Sequence, residues 1–133
     1  MISVTDAYGA LRERRDADHG ASVASVASVT AAVDAFTALA LGMNAGEHQG
    51  PPELYATFAL AQQEALEGMA ALDTQLGEVD ASGAVPDLDE AARLGGLLCE
   101  VLVAHAEHGV DPIRRLAVLN AAAHAGRIRD LLA

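Results

Sequence analysis

The side chains with the most chemistry to offer in this chain are its histidines and the acids near them. His105 and His108 stand three positions apart, which on a helix puts both imidazoles on one side. Imidazole with carboxylate is a donor set for Zn, Fe or Ni. In a bundle whose helices alternate in direction, the turn carrying Glu47 and His48 falls at the same end as His108. The expected metal ligands are therefore His48, His105 and His108, with Glu47 and Glu107 beside them. A second group follows from a tight turn near Val110. Counting back from it sets Glu100 opposite Asn120, and Leu97 opposite His124. Glu100, His105, Asn120 and His124 then become the expected lining of a polar patch in an otherwise apolar ligand cavity between helices. The plainer expectation is that these groups satisfy one another in the core, with His108 favoured by the negative end of its helix dipole.

Other catalytic arrangements are missing from the sequence. It has no nucleophile elbow, no phosphate loop and no cysteine cluster. Ferritin-like di-iron bundles need Glu-x-x-His twice; only Asp16-x-x-His19 comes near that. Glu64-x-x-Glu67 with Asp87-x-x-Glu90 is similar in spacing to the acidic pairs that hold Mg²⁺ in all-α nucleotide pyrophosphatases of the MazG type. The second pair is inverted in type, Asp87 suits a helix cap, and there is no lysine for phosphate. Arg14 and His19 resemble the Arg-x4-6-His spacing of HEPN ribonucleases, but at the wrong end of the chain. The lone Cys99 cannot form an internal disulfide and falls in an apolar helical segment, where an inert thiol is expected.

Charge narrows the choice of partners. The net charge is −11, and between Asp16 and Glu90 there are thirteen acids and no arginine. Such a field repels phosphate backbones, so no nucleic-acid partner is expected. All eight basic residues are arginine, in a chain rich in Ala, Gly, Val and Leu, a composition expected of a GC-rich, actinobacterial genome. Ala21 to Met43 is the one stretch resembling a membrane span. Asp34 near its centre costs about 2.5–3.5 kcal/mol on insertion scales, so no membrane partner is expected. Acids also spoil it as a signal peptide, and with one cysteine the expected location is the cytoplasm.

The elements that must position these groups are helices. Hydrophobic residues make up 52% of the chain and aromatics only 3%, so the core is built from Ala, Leu and Val. Ser3 and Asp6 have capping-box spacing for a helix to about Asp18. Val26, Val29, Val33, Phe36 and Ala40 step by three or four, giving a central helix from Ala21 to Met43. Gly46 to Gly50 reads as a turn. Pro51-Pro52 opens a third helix, with Leu54, Phe58, Ala61, Ala65, Met69, Leu72 and Leu76 along its apolar stripe. A connection from Val79 to Pro86 leads to Asp87, the N-cap of a fourth helix carrying Leu94, Leu98, Val101, His105 and His108. Gly109 stops it, and Asp111-Pro112 starts a fifth helix whose expected stripe is Ile113, Leu116, Asn120, Ala123 or His124, Ile128 and Leu131.

The whole reads as all-α, one helical-bundle domain over residues 1–133, an antiparallel four- to five-helix up-down bundle. The functional expectation is a non-catalytic interaction or accessory module, acting as a homodimer or with another protein partner. Mild apolarity around the central helix, and an Arg-bearing fifth helix facing an acidic middle, motivate the dimer. The alternative is a metal-dependent or acid–base enzyme, or a binder of a small apolar ligand, using the histidine-rich end and the Glu100/Asn120/His124 interior. No cofactor follows from the sequence.

Overall fold

The computed structural model describes residues 3–18, 26–74, 84–107 and 111–133. The described residues form five α-helices: α1 (Val4–Asp18), α2 (Val26–Gln49), α3 (Tyr55–Ala71), α4 (Leu88–Glu107) and α5 (Pro112–Leu132). A short 3-10 turn, Pro52–Leu54, leads into α3, and no strand occurs among the described residues. This is an all-α helical bundle.

Local chemistry sets the helix ends. The Ser3 hydroxyl accepts from the Asp6 amide, Asp87 from the amides of Asp89 and Glu90, and Asp111 from that of Arg114. Each cap satisfies amides that have no partner within the helix. The end of α3 is a Schellman turn: the Thr74 amide donates to Met69 O and the Asp73 amide to Ala70 O, with Asp73 at φ 57°.

The expected turn at Gly46 is instead helix, since α2 continues to Gln49. Packing explains the extension. A Cβ on Gly46 would occupy the place of the Phe58 ring, and one on Gly68 the place of the Phe36 ring. Glycine serves here to admit the two phenylalanines, both fully buried, rather than to break the helix. Residues 19–25, which hold the junction of the first two helices, lie outside the described residues. So do Leu76, most of the expected 79–86 connection, His108 and Gly109.

One hydrophobic core draws on all five helices, from Val4 and Leu11 through Phe36, Leu39 and Phe58 to Leu98 and Ile128. Around it, α2 packs on α3, α3 on α5, α5 on α4, and α1 closes the ring between α4 and α2. By length and composition α2 passes as a membrane span over Val29–Gln49, and 61% of that window is buried among the other helices. It is largely buried, as the sequence suggests, but as one member of the ring rather than its centre.

Contacts fix the helix directions. Phe36 against Gly68 and Phe58 against Gly46 make α2 and α3 antiparallel. Arg115 reaching Ala106 O, with Gly95 against Ala125 and Arg129, makes α4 and α5 antiparallel. Thr5 bonds Glu90 and Arg15 bonds Glu100, so α1 and α4 are parallel. Gly42, near the end of α2, touches both Val4 and Pro86. The starts of α1, α3 and α4 therefore share the end at which α2 finishes. Direction alternates along the chain except between α3 and α4, where the up-down expectation fails. The connection permits this. From Leu72 to Asp87 the chain can reach about 50 Å when extended, against a length of roughly 26 Å for α3.

Candidate functional site

That break in alternation separates the expected metal ligands. His48 is at the end shared by the starts of α3 and α4, while His105 is near the finish of α4, on the order of 25 Å away along the helix axis. His48 is exposed, its Nδ1 2.9 Å from Asn44 O, and His105 is buried. The two do not meet, and His108 lies outside the described residues.

The expected Glu100/His105/Asn120/His124 interior also comes apart. Glu100 is exposed and pairs with Arg15 of α1 at 3.4 Å, and Asn120 is exposed on the outside of α5. The Arg15 guanidinium is held above its usual pKa, first by its hydrogen bond to Asp16 and then by the Glu100 charge. Residues 95 and 106 of α4 do meet 125 and 115 of α5, so the expected hairpin register is correct. The error is rotational: Glu100 turns toward α1 and Asn120 toward solvent.

His124 gains acidic side-chain partners, and they come from α3. Its Nδ1 is 2.6 Å from Glu64 Oε2 and 3.5 Å from Glu67 Oε2. Glu64 and Glu67, one turn apart, project from α3 to the same side, facing α5. Both His124 and Glu64 are about four-fifths buried, at 18% and 21% side-chain exposure. One ligand atom from each of the three residues lies within 4.8 Å of the others. Arg127, one turn beyond His124, brings a guanidinium nitrogen to 3.1 Å from His124 Nδ1 and 3.5 Å from Glu64 Oε2.

The electrostatics of this group turn on one nitrogen. As a bare acceptor, Nδ1 would set a lone pair against a carboxylate oxygen at 2.6 Å, which is repulsive. A hydrogen on Nδ1, which the neutral tautomer can carry, removes the conflict, and so does a metal ion in its place. When Nδ1 holds a proton it donates to Glu64, and Arg127 cannot donate to that atom; its acceptor is then Glu64 itself. The sequence offered Glu64-x-x-Glu67 as a pair but did not pair it with a residue of α5. Asn44 is a second polar group that the sequence reading missed, buried in α2 and accepting from Gln62 Nε2 at 3.4 Å.

Two surface features complete the inventory. A cleft of about 350 Å³ lies between the start of α1, the end of α2 and the residues leading into α4, lined by Val4, Leu41, Gly42, Pro86 and Glu90 among others. It includes none of the residues expected to line a ligand cavity. The other feature is apolar: Ile113, Leu116 and Leu119 of α5 are 85%, 62% and 40% exposed. No family model matches the chain, and no curated protein or solved structure is significantly similar to it.

Proposed function

We propose that this protein is a non-catalytic interaction module that works as a homodimer in the cytoplasm, with the outer face of α5 as the contact. The observation that carries the reading is the exposed stripe of Ile113 and Leu116, extended by Ala123 at helical spacing. Leu119, 40% exposed, borders it. A patch of this kind on a small acidic protein marks an association surface. The original motive for a dimer does not carry the reading, because α2 is covered by its neighbours and has only Thr30, His48 and Gln49 exposed among its described side chains.

Charge selects a second copy as the occupant. Arg114 and Arg127 flank the stripe, both exposed although Arg127 also pairs with Glu64 of its own chain at 3.5 Å, in a chain of net charge −11 whose residues 16–90 carry no arginine or lysine. Across a two-fold axis each α5 meets the acidic α3 surface of the other copy, where Glu53 and Glu67 are exposed. Burial of the apolar stripe drives association, and the charges set orientation and weaken with salt. Arg115 plays no part, because its Nε donates to Ala106 O at the end of α4.

Sedimentation equilibrium at micromolar concentration tests this directly. The chain should have twice the monomer mass, and the double variant Ile113→Ser, Leu116→Ser should return to one chain with an unchanged helical spectrum. A one-chain mass for the unmodified protein across that range rules the homodimer out.

A further inference from the structure

We propose that Glu64, Glu67 and His124 form a binding site for one divalent transition cation, of the zinc class, in the seam between α3 and α5. The site forms within one chain, although Glu67 and Arg127 also border the proposed dimer contact. It also differs from the histidine-rich end expected from the sequence, since its ligands are two carboxylates and a different imidazole. Three features point to it. The ligand atoms converge within 4.8 Å while coming from two helices of a packed bundle, which fixes their positions before any ion arrives. Two of them, His124 Nδ1 and Glu64 Oε2, already meet across the seam at 2.6 Å, so an imidazole and a carboxylate are held face to face. The imidazole favours Zn²⁺, Co²⁺ or Fe²⁺ over Mg²⁺ or Ca²⁺, which prefer oxygen alone.

In the ion-free protein the Nδ1–H of His124 donates to Glu64, and Arg127 donates to the same carboxylate. A metal needs Nδ1 free of hydrogen, so protons compete with the ion and affinity falls as the pH drops. Three protein ligands leave coordination positions for water. Glu67 is half-exposed, at 47%, so the seam is open on one side. Arg127 is the competitor. Its guanidinium lies 3.1 Å from the ligand nitrogen and 56% exposed, so it must swing outward when a dication binds. A mere surface ion pair has no such consequence.

Titration of the purified full chain with Co²⁺, followed by visible absorption, tests the proposal. One saturating equivalent with d–d bands is expected. Losing an outer partner of a metal ligand costs roughly 10–100-fold in affinity, so losing a direct ligand should cost about 100-fold or more. His124→Gln and Glu67→Gln should each show that loss. His48→Ala should bind as the unmodified chain does, and Arg127→Gln should bind more tightly. Far-UV circular dichroism verifies that each variant is folded, and Zn²⁺ should raise the melting temperature of the unmodified chain but not of His124→Gln. Absence of a saturating equivalent overturns the site. So does binding that His124→Gln and Glu67→Gln leave unchanged. Repeating the titration on the Ile113→Ser, Leu116→Ser variant keeps its outcome separate from that of the dimer.

Discussion

Helices α4 and α5 form one hairpin, yet they obey different rules about what goes inside. In α4 the bulky residues are the core: Leu94, Leu98 and Leu102 are at most 1% exposed, and Val101 and His105 follow the same stripe. In α5 small residues share the core with a few large ones. Ala121, Ala122, Ala125 and Gly126 are buried beside Val118, Ile128 and Leu132, while Ile113, Leu116 and Leu119 stand outside. The reason is how closely the two helices approach. A Cβ on Gly95 of α4 would lie 3.0 Å from both Ala125 O and Arg129 N, so backbone packs on backbone there. Where axes come this near, a leucine at the contact would push them apart, and α5 turns its small side inward. Size marks the buried face only when the neighbouring helix is far enough away to need filling.

The comparison predicts an ordered set of responses. Leu98→Ala leaves a void inside a fully buried layer and should cost about 2–5 kcal/mol in denaturant unfolding. A loss below 1 kcal/mol would mean that α4 does not carry the core as described. Gly95→Ala tests the other rule. Its added methyl meets backbone, which cannot rotate away, so destabilisation of about 1–3 kcal/mol is expected from overpacking. Gly9 in α1 has nothing within 4 Å of the same position. There the substitution to alanine should instead stabilise by roughly 0.5–1 kcal/mol, from helix propensity alone. Equal signs at the two glycines would break the claim of close α4–α5 approach.

These responses also explain which parts of the molecule the sequence could reveal. Helix existence, the three side-chain caps and the α4 stripe follow from local chemistry, and each was legible. The register of the α4–α5 hairpin followed from the short connection at residues 108–111. Rotation of α5 about its axis did not, because its alternative stripes are both apolar and only the close approach chooses between them. The same limit hid the convergence of Glu64, Glu67 and His124. Glu64-x-x-Glu67 is visible as a pair, but its third member comes from α5, and α5 neighbours α3 only because α3 and α4 run the same way. The length of the connection from Leu72 to Asp87 was the available sign, since a strict alternation needs far fewer residues. His48 and His105 were joined by assuming that alternation.

The smallest effect on the fold belongs to the outer face of α5, and it is the most telling. Leu116→Ser removes a large apolar side chain, a change that in α4 would be severe. At 62% exposure, with the contact surface of α5 turned the other way, it should alter the unfolding free energy of the monomer by no more than about 0.5 kcal/mol. The measurement belongs at low concentration, where association does not add its own stability to that of the fold. At high concentration the unmodified chain should gain stability with concentration, and the variant should not. A loss of 2 kcal/mol or more at low concentration, of the order expected for a core leucine, would show that Leu116 is covered by its own chain. The stripe would then be part of the fold, and the contrast between the two helices would rest on α4 alone.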